Sequence, residues 1–277
     1  MIMRRLTSGD RAQAEAVWIE IFEESPAFAS YYFDQRFHPE HSFGAFDSDR
    51  LIAMAQGRPT EIRVEGKKLP AMLIAGVSTR PEYRKRGLMH RLMSMLIEHA
   101  KNSGFSCCYL HPVTENLYAS LGFRNGADIL TVHSDADRTH ESFDLSEQFD
   151  AADMLSVYHS LQQTHDGMQI RDEAELNTVF ADYAIDDAKV MIAFRDGHPA
   201  GYIIYCAEGF VYELMALTAS AYAFLLDETA KHTGREIKAM APTDCGLPGE
   251  RHYSMQYLVF DHAFRLPLKN GFCRLAY

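Results

Sequence analysis

The sequence contains no C-x-x-C pair, no long apolar run and no excess of positive charge. Its five cysteines, Cys107, Cys108, Cys206, Cys245 and Cys273, are odd in number and lack metal-site spacing. A disulfide framework or a zinc site is therefore not expected; buried or free thiols in a reducing compartment are. No apolar stretch approaches the roughly 20 residues of a membrane-spanning helix, and the first six residues open with Arg4 and Arg5 rather than an apolar segment. The expectations are no membrane partner, no signal peptide and a cytoplasmic location. Thirteen histidines show neither H-E-x-x-H nor H-x-H spacing, so no metal is implied.

Positive charge is scarce where it would matter for nucleic acid. The net charge is −11, with 17 Lys and Arg against 19 Asp and Glu through Leu145, and 10 against 19 after it. An acidic second half argues against a nucleic-acid partner, which needs a basic face. It suits a cationic substrate, although acidity also serves solubility alone. The length accommodates one large or two smaller domains, and 47% apolar residues supply a substantial core.

What is present is concentrated in Ile74–Met95, IAGVSTRPEYRKRGLMHRLMSM. Residues 74–79 read as a strand, and Pro81 enforces a loop after it. A helix is predicted from about Leu88, with Leu88, Leu92, Met95 and Leu96 at helical spacing. The first amides of a helix lack internal partners and carry the positive end of the macrodipole. Gly87 lets an anion approach the main chain without a Cβ in its way. Arg84, Lys85, Arg86 and Arg91 add full charges. Strand, cationic loop, glycine and helix in this order point to a di- or polyphosphate. A solvated basic turn before an ordinary helix is the bland alternative. Neither a Walker loop nor G-x-G-x-x-G is present.

The run V-S-T-R-P-E-Y-R-K-R-G-L-M resembles motif A of the GNAT superfamily of acetyl-CoA-dependent N-acetyltransferases. Arg84 and Gly87 match its Gln/Arg-x-x-Gly-x-Gly/Ala pattern. Met89 departs from it, standing where Gly or Ala is usual. The run is most similar to the branch containing the enhanced-intracellular-survival type acetyltransferases. By that resemblance, acetyl-CoA is the co-substrate. The contacting residues are then Val77, Ser78 and Thr79 on the strand and Arg84, Lys85, Arg86, Gly87, Leu88, Met89 and His90 around the helix start.

Taken in order, residues 2–6 read as a strand. Thr7-Ser8-Gly9-Asp10 caps a helix to about Glu24, and Pro26 opens a second one, residues 27–37. Among the GNAT enzymes this α–α connection walls the acceptor site, which singles out Glu23 and Glu24 as amine contacts. Three strands of a meander are predicted over 42–47, 51–55 and 60–64, and a fourth over 69–79 closes it. The helix stops near Gly104, and 105–111 is the next strand.

Pro112–Phe123 resembles motif B of the same superfamily, with Tyr118 before Leu121-Gly122-Phe123 at the start of a short helix. The strands 73–79 and 105–111 are parallel and splay at their C-terminal ends, where open sheets take ligands. The resemblance implies that Tyr118 is the general acid that protonates the departing thiolate. Asn116 is a candidate to hold the CoA arm or to order the loop, with an ordinary polar residue at a helix N-terminus as the bland alternative. A phenol of ordinary pKa about 10 is protonated at neutral pH.

Residues 128–133 read as the last strand of the first unit and 134–144 as a linker. The second half then repeats the order. Helices are predicted over 150–163 and 172–184, a meander over 189–217, a helix over 220–231 and a strand over 236–241. Neither a glycine nor a cation stands at Leu217–Tyr222, so this copy is expected to bind no acetyl-CoA. The fold expected is α/β (α+β), with two tandem GNAT-like units. Each is a mixed, mostly antiparallel sheet flanked by helices, with splayed parallel strands in the first. The division is 1–140, catalytic, and 141–277, degenerate. The resembling branch also carries a third, sterol-carrier-like domain, which is not expected within these 277 residues. In that branch the terminal carboxylate reaches the active site, which implies Tyr277 as general base.

The function expected is acetyl transfer to an amine of a small molecule or a lysine side chain. The alternatives are a non-catalytic acetyl-CoA sensor and a nucleic-acid module built on Arg80–Arg91, the last opposed by the acidic balance. Self-association is compatible with the sequence.

Overall fold

The structure, a computed structural model, describes residues 1–185 and 187–273. Tyr277, the residue implied as general base, lies outside the described residues. The chain forms two compact units. The first comprises residues 1–62, 68–125 and 255–266; the second holds 63–67 and the rest from Gly126 on.

The first unit opens with β1 (Ile2–Arg5). Asp10 then organises the turn into α1 (Arg11–Phe22). Its carboxylate accepts the Thr7 N–H at 2.8 Å and both Arg4 guanidinium nitrogens at 2.7 and 2.8 Å. Those bonds, the Arg4 pair foremost, hold its pKa well below the usual carboxylate range. Ser25 caps α2 (Pro26–Gln35) by accepting the Phe28 N–H at 3.1 Å. β2 (Phe43–Asp47), β3 (Arg50–Val64) and β4 (Lys67–Thr79) follow, then α3 (Leu88–Asn102) and β5 (Cys107–Leu110).

Side chains alternate across this sheet. Leu51 and Met54 pack with Trp18, Tyr32 and Phe33 of α1 and α2. Ala53, Ala55, Met72 and Ile74 pack with Leu88, Leu92 and Leu96 of α3. The helical hairpin and α3 therefore cover opposite faces.

β3 is a finding against the sequence reading, which broke it into two strands around Gly57. That glycine marks a close approach, not a turn. A Cβ there would stand 2.7 Å from the His41 carbonyl oxygen and 2.8 Å from the Met72 sulfur.

In the second unit, β6 (Arg124–His133) is followed by β7 (Asp144–Ser146), α4 (Ala151–Gln162) and α5 (Glu173–Ala184). The meander β8 (Lys189–Arg195), β9 (His198–Tyr205), β10 (Val211–Ala216) leads to α6 (Ala219–Thr233) and β11 (Lys238–Pro242). One sheet has the order β10-β9-β8-β7, and β6 pairs antiparallel with β11. Ile203, Leu214 and Ala239 pack with Leu225 of α6. Tyr202, Ile204 and Met215 pack with α4 and α5. The predicted order, two helices, a meander, then helix and strand, is thus observed twice.

β6 was read as the closing strand of the first unit, with a boundary at 140/141. From Gly126 on, it belongs to the second unit, where Ile129 and Leu130 enter the two cores. Residues 134–143 are no linker either: the Asp135 N–H donates to Asp227 at 2.7 Å and the Glu141 N–H to Ser220 at 2.8 Å, both residues of α6.

β12 (Gly249–Val259) was not foreseen. Its residues 256–259 return to the first unit and pair antiparallel with β5, from Gln256 opposite Leu110 to Val259 opposite Cys107. The first unit's sheet order is then β1-β2-β3-β4-β5-β12.

Candidate active site

The parallel pairing of β4 with β5 is short. It runs from Ala71 opposite Cys107 to Leu73 opposite Tyr109. β4 continues through Thr79, whereas β5 ends at Leu110. The main chain beyond Leu73 is therefore unpaired on the β5 side, which is the splay expected from sequence.

Within that stretch Gly76 has φ 57°, a left-handed conformation in mid-strand. A Cβ on Gly76 would meet the Trp18 ring at 2.6 Å and Gln56 Nε2 at 3.0 Å. The irregularity re-aims the next residues. Val77 and Tyr118 both join the α3-side cluster, together with Leu88 and Met89. Ser78 is buried, with its hydroxyl unpartnered among the described residues. Sequence reasoning missed Gly76, Trp18 and Gln56. A glycine inside a predicted strand was the available signal.

The loop between β4 and α3 is built as a cationic turn. Pro81–Tyr83 form one turn of 3-10 helix. Lys85 and Gly87 both take positive φ, 60° and 71°, and Gly87 is the N-cap of α3. Space is open around Gly87, with nothing within 4 Å of where a Cβ would stand. Arg84, Lys85, Arg86, His90 and Arg91 are exposed. Two of these cations also hold the loop together. Arg84 Nε donates to the Thr79 carbonyl at 3.1 Å, and Arg86 Nη2 to the Glu82 carbonyl at 3.0 Å. Arg86 also lies over the Tyr83 ring, whose hydroxyl donates to Asp47 at 2.8 Å. Such a turn presents first-turn amides, a positive dipole end and positive charge to an anion.

Tyr118 is the N-cap of a 3-10 turn, Ala119–Leu121, ended by Gly122 at φ 91°. It is 5% exposed and packs near Phe123, ring centroids 6.0 Å apart. Burial raises the pKa of its phenol. The loop before it is held from β12, since Gln256 Nε2 donates to the Glu115 carbonyl at 2.5 Å and to Asn125 Oδ1 at 3.0 Å. Nothing in the motif announced Gln256. Asn116 is exposed beside this anchor and its carbonyl accepts the Ala119 N–H at 3.3 Å.

Glu23 and Glu24 sit apart from this group. They are exposed at the C-terminal end of α1, where Glu23 has φ 56°. That helix packs on the sheet face opposite α3 and Tyr118. Among the described residues no group of three or more His, Cys, Asp or Glu is placed to hold a metal ion.

Known proteins resemble this chain as follows. Residues 3–126 match the family model of an acetyltransferase (GNAT) domain. An uncharacterized N-acetyltransferase of Streptomyces avermitilis is 33% identical over 86 residues, which is 31% of this chain and 21% of that protein. The match thus spans about a fifth of that relative's length. A GCN5-related N-acetyltransferase from Anabaena variabilis superposes with a TM-score of 0.73 at 16% identity, covering 93% of this chain and 72% of that one. Eis1 from Mycobacterium abscessus gives 0.71 at 17%, covering 94% and 74%. A putative acetyltransferase from Pyrococcus horikoshii gives 0.63 at 14%, covering 99% and 95%. At these identities the structures show the fold alone, across both units. Residues 3–126 of this chain are thus similar to an acetyltransferase (GNAT) domain.

Proposed function

We propose that the first unit transfers an acetyl group from acetyl-CoA to a primary amine of a small molecule or a lysine side chain, by direct attack. The observation that carries this reading is Gly87. It opens the N-terminus of α3 at the end of β4, amid Arg84, Lys85 and Arg86. The surroundings fit a pyrophosphate, with Leu88, Met89 and His90 supplying first-turn amides. The unpaired main chain at Val77, Ser78 and Thr79 fits the amide-bearing arm of CoA, with Asn116 across the splay.

The chemistry assigned to the chain is a proton account. The amine nitrogen bonds to the acetyl carbon, and the carbon–sulfur bond breaks. Tyr118 gives its phenolic proton to the leaving sulfur. Its raised pKa keeps that proton in place at neutral pH. The nitrogen's surplus proton passes to a base, for which the Tyr277 carboxylate is the candidate. Glu23 and Glu24, exposed at the end of α1, would attract the cationic acceptor only by long-range charge. No nucleic acid or membrane enters this reading.

The test is thiol release from acetyl-CoA over a panel of amines, with a thermal shift by CoA alone. Release with at least one amine and a higher melting temperature with CoA are expected. A shift without release on any amine would make the unit a sensor. Neither shift nor release would remove the proposal.

A further inference from the structure

Tyr118 stands in an excursion of the chain between the end of β5 at Leu110 and the start of β6 at Arg124. Residues 113–117 are all exposed, and within 113–120 Tyr118 alone is buried. A side chain that is to meet a reacting atom needs its main chain held on both sides. Downstream, the Tyr118 carbonyl accepts the Leu121 N–H at 3.0 Å and the Phe123 N–H at 3.4 Å. Upstream, the Leu117 N–H donates to the Thr114 carbonyl at 3.2 Å. Exposed local turns of this kind open at little cost unless something else holds them.

β12 supplies that hold. Gln256 lies opposite Leu110, the last residue of β5, and is 2% exposed. Its Nε2 donates to the Glu115 carbonyl at 2.5 Å, upstream of Tyr118, and to Asn125 Oδ1 at 3.0 Å, downstream of it. One amide thus ties together the two ends of the excursion. Leu258, two residues along and so on the same face of the strand, packs with the cluster that contains Tyr118. Its Cδ1 stands 3.2 Å from where a Cβ on Gly122 would be. The same face of β12 therefore clasps the excursion before Tyr118 and backs the turn after it. The other end of the amide is left unfilled: Gln256 Oε1 is buried without a hydrogen-bond partner among the described residues. An unfilled buried acceptor lowers stability. An apolar side chain of the same length would avoid that cost, so stability alone does not account for a glutamine here.

We propose that Gln256 is a positioning residue for proton delivery by Tyr118. By tying Glu115 to Asn125 it fixes the main chain from which the phenol reaches the leaving sulfur. This role rests on the reading of Tyr118 as the proton donor. It also makes β12 part of the reacting unit, although residues 255–266 lie far outside the stretch 3–126 that resembles an acetyltransferase domain.

The test uses the full chain carrying Gln256→Met, which keeps the side-chain length and removes both donors together with the unfilled Oε1. Amide hydrogen exchange over residues 112–121 should quicken by about tenfold, with α3 unchanged. With an amine that the parent acetylates, kcat should fall by about tenfold, while KM for acetyl-CoA and the thermal shift by CoA stay near the parent's. In a Tyr118→Phe background the same substitution should change kcat by less than about twofold, because no proton remains to be placed. A purely structural role would give the same factor in both backgrounds. Unchanged exchange over 112–121, or equal factors in the two backgrounds, would overturn the role and leave the reading of Tyr118 standing. Normal turnover by Tyr118→Phe itself, or no thiol release by the parent with any amine, would remove that reading and this role with it. Should Gln256→Met fold poorly, Asn125→Ala frees one of the two bonds and should move exchange and kcat in the same directions by smaller factors. Parent-like exchange and kcat in that variant would count equally against the role.

Discussion

Tyr118 carries the proposed proton transfer, and its surroundings make a sharp prediction. Tyr118→Phe keeps the ring against Phe123 and the α3 cluster but removes the proton. Thiol release should fall by about a hundredfold or more, the usual scale of general-acid catalysis. CoA affinity, read by thermal shift, should stay nearly level. Normal turnover in the variant would take the role away from Tyr118. Gly76 makes a second prediction at the same scale. Gly76→Val meets both a left-handed φ and a Trp18 ring 2.6 Å from the new Cβ. Strain and overpacking together should cost about 2–4 kcal/mol, read as a lower denaturation midpoint. A variant as stable as the parent would show that β4 relaxes without its irregularity. The residues of the cationic turn before α3 were legible in sequence because local chemistry demands them: a glycine, cations and a helix start. Trp18, Gln56 and Gln256 were not, because each acts on main chain distant in sequence.

At the scale of elements, α3 is tied to the start of the chain by two imidazoles. His41 Nδ1 and His99 Nε2 are 2.9 Å apart, and His99 Nδ1 lies 3.2 Å from Arg5. Such a contact needs one ring nitrogen to accept, so it fails when both rings are protonated. Burial lowers the pKa of each, and the neighbouring cationic groups lower it further. The folded chain therefore resists protonation more than the unfolded chain, whose histidines titrate near 6.5. Stability from this pair is fully present above about pH 6.5 and is lost as pH falls toward the lower folded values. Urea midpoints should drop between pH 7.5 and pH 5.5. In His99→Gln, that drop should shrink. A pH slope identical in parent and variant would show that other groups carry it. The elements themselves were largely visible in sequence, since apolar periodicity and turn residues are local. The exceptions have physical causes. β3 was split because a glycine in close contact looks like a glycine in a turn. β12 was missed because its place is set by pairing with β5, far back along the chain.

At the scale of the whole molecule, each unit rests on its own interior. In the second, Arg171 and Glu213 are buried completely, with Arg171 Nη1 donating to both carboxylate oxygens at 2.9 and 2.8 Å. The Tyr202 hydroxyl donates to the same carboxylate at 2.5 Å, and the guanidinium lies 4.5 Å from the Tyr158 ring centre. Replacing Glu213 with Leu removes the carboxylate that Arg171 Nη1 binds inside the core. The expected loss is about 3–5 kcal/mol of stability, measured by chemical denaturation. A variant within experimental error of the parent would mean that water or a neighbour neutralises Arg171 easily. Among the described residues no helix is long and apolar enough to cross a membrane.

The sequence by itself determined the order of helices and strands, the repetition of that order, and the cationic glycine turn before α3. All of these follow from neighbours a few positions apart, through periodicity, capping and backbone freedom. Only the tertiary structure decided which strands belong to which unit, that Val77 and Tyr118 share one apolar cluster, and that Gln256 holds the loop before Tyr118. Those arrangements depend on contacts between residues tens to more than a hundred positions apart, whose partners are chosen by packing rather than by spacing.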